Sequence, residues 1–233
     1  MKNPSFHNIA LRLLSLLALA LLSPINAKDH DKNTPMLRII CVTTLPGHED
    51  YVFASMGEDD VFNEHKTVPL RSSLITEWLE MPHGELHICV REEGKLISKG
   101  NFNYPENSRR ALLALLPGAD KDEFKPVLID IAELEFEKGE IMVVNSSEKS
   151  AEVMLGENRV EVEPGDHSVQ EPTLDESEMF RSLVTYTDDA GETVTCSDRY
   201  VRSNKSSRDF VFLLTDARTG IRTLTMSDFG SYE

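Results

Sequence analysis

This chain is written twice. Asn107, Arg110 and the apolar run 112–116 return as Asn204, Arg208 and the apolar run 210–214. A tandem repeat constrains a fold more than any single motif, because each unit must bury its own core or stack on its neighbour. The landmarks around the run recur in the same order. Ile39 matches Ile141, 102 residues on; Gly94 matches Gly191 and Asn107 matches Asn204, each 97 on; Leu112 matches Phe210, 98 on; Ile131 matches Met226, 95 on. The turn at Pro82 and Gly84 matches Pro164 and Gly165. An offset that drifts by a few residues is what variable loops between persistent elements produce. Each unit runs to about 95 residues, enough to bury a core.

The pattern inside each unit is that of strands. Residues 86–91 and 160–163 alternate apolar and polar side chains, the period of a half-buried strand. Runs 112–116 and 210–214 are continuously apolar, which fits a strand buried on both faces or at a seam between layers. Gly and Pro signals punctuate the chain at Gly57, Gly94, Pro105, Pro117, Gly139 and Gly156, the spacing of an antiparallel sandwich. Helix is scarce, with short candidates at 74–79, 130–134 and 174–181, the last with Thr173 as N-cap. The expected fold is all-β: two tandem antiparallel immunoglobulin-like β-sandwich domains from an internal duplication, spanning 37–136 and 137–233. Residues 28–36 read as a disordered arm. Residues 135–140 read as a short charged linker that permits some swing.

The first 27 residues read as a signal peptide. Lys2 and Arg12 supply the charge, residues 13–22 the apolar stretch, Pro24 a break and Ala27 a small residue at the cut. The apolar stretch is about half of what spans a bilayer. Export to the periplasm or the outside follows. Cleavage after Ala27 removes two basic residues and takes the net charge from −16 to −18, 22 basic against 40 acidic residues. So acidic a surface repels nucleic acid and anionic membranes, and no nucleic-acid partner is expected. No later stretch is apolar enough to cross a membrane, so the remaining chain reads as not membrane-spanning. Of three cysteines, Cys41 and Cys89 fall in strand-like runs of one repeat and are the better disulfide pair for an oxidising compartment. Three free thiols are the leading reading, and a Cys41–Cys89 bridge is the alternative.

The sharpest chemical candidate is His83, Glu85 and His87. On an extended segment the three share one side, and two imidazoles with a carboxylate form a legitimate zinc set. Against this, Pro82, His83 and Gly84 make a good turn, which takes His83 off the strand face, and the second unit offers only Asp166 and His167. No cofactor-binding fingerprint, nucleophile elbow or phosphate loop occurs. Trp78 reads as core, with carbohydrate stacking as the alternative. Arg110 and Arg208 stand equivalently at the mouths of the apolar runs. Each reads as a strand end paired with an acid, with carboxylate binding as the alternative.

Each unit resembles the tandem immunoglobulin-like or transthyretin-like sandwich repeats of exported bacterial envelope proteins. The residues that carry this are the opening strand into Asn145, Ser146 and Ser147, the turn at Pro164 and Gly165, and the closing apolar strand. The resemblance implies a sandwich fold and no functional residue. The expected function is a non-catalytic binding or structural module of the envelope, facing a protein or a polysaccharide. The alternatives are a carbohydrate-binding accessory protein and a metal-dependent hydrolase built on His83, Glu85 and His87.

Overall fold

A computed structural model describes residues 34–131 and 134–230. The segment read as a signal peptide, residues 1–27, and residues 28–33 of the expected arm lie outside the described residues. Pro35–Glu233 fall in one compact unit. Strand structure opens at Met36, so the last residue of the expected arm is already in a sheet.

The first repeat comprises β1 (Met36–Cys41), β2 (Asp50–Met56), β3 (Phe62–Pro69), the short β4 (Leu74–Ile75) and β5 (Leu79–Glu80), β6 (Gly84–Glu92), β7 (Lys95–Tyr104), β8 (Arg110–Pro117) and β9 (Phe124–Asp130). The second comprises β10 (Ile141–Asn145), β11 (Ala151–Leu155), β12 (Asn158–Val162), β13 (His167–Gln170), β14 (Met179–Thr187), β15 (Thr193–Arg202), β16 (Arg208–Asp216) and β17 (Gly220–Asp228). The fold is all-β. The 137 boundary falls in the connection between β9 and β10.

Each repeat is two sheets, and the two repeats share one plan. The sheet orders β4-β1-β8-β9 and β3-β2-β6-β7 correspond to β13-β10-β16-β17 and β12-β11-β14-β15. β5 also pairs with β1, beside β4. One pair in each repeat is parallel, β1 with β8 and β10 with β16; all the others are antiparallel. Constant-type immunoglobulin domains place strands A, B, E and D in one sheet and C, F and G in the other. Here the first strand leaves the second and pairs with the fourth and seventh, so the likeness to immunoglobulin domains holds for the two-sheet sandwich and not for strand order.

The ladders also correct the register of the repeat. Arg38 pairs with Leu112, and Met142 with Phe210. With Leu112 equivalent to Phe210, Arg38 is equivalent to Met142, which sets the opening strands 104 residues apart instead of 102. The closing strands align at 97, Ile129 with Met226. Both slips are of two residues, which a period-2 pattern tolerates because the same face stays inward.

Alternation along the central strands explains the apolar runs. Ala111, Leu113 and Leu115 of β8 face the other sheet of their own sandwich, beside Leu86, Ile88 and Val90 of β6. Leu112, Ala114 and Leu116 face the opposite way and join Phe210, Phe212 and Leu214 of β16 in a second core. Val211 and Leu213 then turn to the core of the second sandwich, with Phe180 and Val184 of β14. The molecule is therefore four sheets deep, with the β8 and β16 sheets packed face to face in the middle. A shared core opposes the swing expected of the 135–140 connection.

The expected helices are absent among the described residues, where the only helical turn is a 3-10 turn at Glu58–Asp60. Leu74 and Leu79 enter β4 and β5, which border β1. The 174–181 segment begins as a turn, in which Asp175 Oδ1 accepts from the Ser177 and Met179 amides. An Asp that caps its own turn competes with helix formation. In 130–134, Asp130 completes β9.

Candidate functional site

The structure separates the members of the His83, Glu85 and His87 set. Gly84, at φ +102, sits between His83 and the rest of β6. His83 turns to the connection between β7 and β8, where its Nε2 donates to the Ser108 carbonyl at 2.8 Å and its ring meets Tyr104, the last residue of β7, edge-on. Glu85 and His87 stay on the outer face of the sheet, 3.6 Å apart. Asn101 donates to Glu85 at 2.8 Å, and His87 Nδ1 lies 3.1 Å from the Ser98 hydroxyl. Phe62 packs edge-on to His87. Among the described residues no three His, Cys, Asp or Glu side chains come together as a metal-ligand group. The turn that opposed the shared strand face is what pulls His83 away.

All three cysteines are free. Cys41 points into the core of the first sandwich, while Cys89 lies on the far side of the second sheet with Val52 and Ala54. The β6 sheet lies between the two thiols, which rules out a bridge between them in this fold. Burial pushes the Cys41 thiol up to about 12 and the Cys89 thiol up to about 11. The thiolate is the reactive form, and at pH 8 a thiol of pKa 12 is ionised in about one molecule in ten thousand. Ellman's reagent on the native protein at pH 8 is expected to modify Cys196 first and to leave Cys41 and Cys89 unmodified until the protein is unfolded. Rapid native labelling of Cys41 contradicts this.

Trp78 and the arginines meet at the seam between the central sheets. Trp78 packs against the shared core. The guanidinium carbons of Arg38 and Arg110 each lie 5.8 Å from its ring centroid. Arg208 donates to the carbonyls of Phe136 and Gly230, at 2.7 and 3.1 Å, so its role is to fasten the chain on either side of β16. Asp228 was not evident from the sequence. Its carboxylate takes a fork of two 2.9 Å bonds from Arg38, across the seam from the other repeat. The side chains are 6% and 3% exposed. Arg38 Nε also donates to the Thr76 carbonyl at 2.7 Å. Gly230 lies against the guanidinium so closely that a Cβ there would require Arg38 to shift.

A groove of about 430 Å³ opens on the second sandwich. Ser150, Thr185 and Thr187 supply hydroxyls and Glu152, Glu161 and Asp189 carboxylates. Lys149 spans it, bonded to Asp189 at 2.9 Å with its ammonium 5.3 Å above the Tyr186 ring. Asp189 raises the Lys149 pKa, which keeps the ammonium charged. Glu152 and Glu161 stand directly opposite across β11 and β12. Like charges in that position are unfavourable, and Arg159 on Glu152 and Ser150 on Glu161 offset this. Such a lining can take hydroxyl or amine groups. Residues this far apart in sequence gave no local signal.

Fold and site together define a class: an all-β protein of two fused sandwiches, with a buried polar clamp at the seam and a shallow polar groove outside. A scan of protein-family models finds no match to this chain, and a search of curated proteins finds no relative.

Proposed function

We propose that this protein is an exported, non-catalytic binding or structural module of the cell envelope, related to the tandem sandwich repeats of envelope proteins. The observation that carries this reading is the shared core. Leu112 and Phe210 stand at equivalent places and meet in one seam, which makes the two sandwiches a stiff body with two outer sheets turned outward. The side chains best suited to chemistry support the same reading, since His83, Glu85 and His87 are bonded to neighbours within the first sandwich. The partner is an envelope protein or a polysaccharide. The hydroxyl- and carboxylate-lined groove beside Lys149 favours a polyhydroxyl ligand as a second reading, with recognition by hydrogen bonds instead of ring stacking, because Lys149 covers the Tyr186 ring.

Two measurements test the proposal. The exported protein is expected to begin at Lys28 by intact mass; a chain retaining Met1 overturns the export reading. The purified protein is expected to hold no stoichiometric zinc. Zinc that is lost in His87→Ala, together with a hydrolytic activity lost in the same variant, overturns the non-catalytic reading in favour of a hydrolase.

A further inference from the structure

β15 is a ten-residue edge strand. It pairs with β14 on one side, and among the described residues no strand pairs with its other side. The Ser203 amide donates to the Glu178 carbonyl. By antiparallel alternation, Val201 and Arg199 then bond toward β14, and the N–H and C=O groups of Asp198, Tyr200 and Arg202 point to the open edge. Val201 packs on the core of the sandwich, so the side chains of the same three residues stand on the outer face. Tyr200 is 69% exposed, the most exposed of the large hydrophobic residues among those described.

The order of these three residues is self-complementary. An edge carrying charges of one sign repels its own copy, which is how many proteins protect a long edge. Asp198, Tyr200 and Arg202 do the reverse. When two such strands run antiparallel with Tyr200 opposite Tyr200, each Asp198 lies opposite Arg202 of the second copy. Aromatic and opposite-charge pairs are the favourable cross-strand contacts. Within its own sheet Arg202 faces Met179. Asp198 accepts two bonds from Arg181, at 2.8 and 2.7 Å, which hold it ionised and in place on the face where a second guanidinium would arrive. The net charge of −16 opposes association. Over the paired residues 179–183 and 198–202, Arg181, Arg199 and Arg202 outnumber Asp198, so this stretch departs from the acidic balance of the chain. The matching edge of the first repeat lacks the pattern. Phe102 of β7 fills the core as Val201 does, which sets Lys99, Asn101 and Asn103 at the equivalent places.

We propose that two copies of this chain form a two-fold dimer by antiparallel pairing of their β15 edges, centred on Tyr200. The two outer sheets then join into one continuous eight-stranded sheet. The contact is isologous and closes on itself, so it yields a dimer and not a fibre.

Sedimentation velocity on the purified protein across a concentration series tests this. The wild type is expected to move from monomer to dimer as concentration rises. Tyr200→Pro removes an N–H that points outward and leaves the β14 ladder intact, and it is expected to be monomeric throughout. Arg202→Glu sets like charges opposite Asp198 and is expected to weaken the dimer at least tenfold. Asn103→Glu, on the matching edge of the first repeat, is expected to leave it unchanged. Melting temperatures close to wild type show that the variants fold, and Arg202→Glu decides the matter if the proline variant does not. A wild type that stays monomeric at every concentration overturns the proposal, as does a dimer that survives Arg202→Glu unchanged.

Discussion

Phe210→Ala is expected to destabilise both sandwiches, although Phe210 belongs to only one of them. Its ring is fully buried in the seam, stacked on Phe212 at 6.1 Å and edge-on to Phe136 at 5.4 Å. Phe to Ala in a packed core costs about 3–5 kcal/mol, the sum of lost burial and the cavity left behind. The seam decides where that cost falls. Leu112 and Leu116 of the first repeat pack in the same core as Phe210, and the inner faces of β8 and β16 form the two flanking cores. A sheet that serves two cores cannot loosen on one face alone.

Native-state hydrogen exchange distinguishes this from independent repeats. The amides of β6 lie in the outer sheet of the first sandwich, beyond the β8 sheet from the seam. Their protection is expected to fall by about the same free energy as that of β14 in the second sandwich, as in one cooperative unit. Unchanged β6 protection in a variant whose β14 protection has dropped would show two independent folding units.

Much of this architecture was legible because it rests on periodicity. The runs 112–116 and 210–214 announced strands covered on both faces, and the ladders place them at the junction of two cores. What the second face met was not legible. Apolar residues 112, 114 and 116 ask for burial without naming the partner, and a charged linker at 135–140 says nothing about the sheets it joins. The two-residue slips in register have the same origin, since a period of 2 fixes the face and leaves the position along the strand open. The helix readings at 74–79 and 174–181 failed because local turn chemistry and pairing with β1 outweighed weak propensity. Gly84 was the informative residue of the candidate metal set, and its turn separates His83 from His87. The clamp at the seam could not be found from spacing, because Arg38 and Asp228 lie 190 residues apart.

That clamp carries the second large effect. Asp228→Ala is expected to cost about 3–5 kcal/mol, because it strands the Arg38 guanidinium in a buried site. A pair this deeply buried is unlike a surface salt bridge, whose loss is worth roughly 0–1 kcal/mol. The repeat itself supplies the comparison. Arg38 stands where the second unit has Met142, and Asp228 stands where the first has Ile131; both apolar residues pack in the same seam. The pseudo-symmetric seam thus has two equivalent corners, one apolar and one ionic. Replacing a buried ion pair by apolar side chains of similar volume is often neutral or stabilising by about 1–4 kcal/mol. The double variant Arg38→Met with Asp228→Ile is therefore expected to recover the wild-type denaturation midpoint or exceed it, while each single substitution falls well below. Urea titrations of the four proteins close the cycle. A loss under 1 kcal/mol in Asp228→Ala would mean that water reaches the guanidinium. A double variant no better than the worse single one would mean that the ionic corner holds the two sheets in register, a role the apolar corner cannot take over.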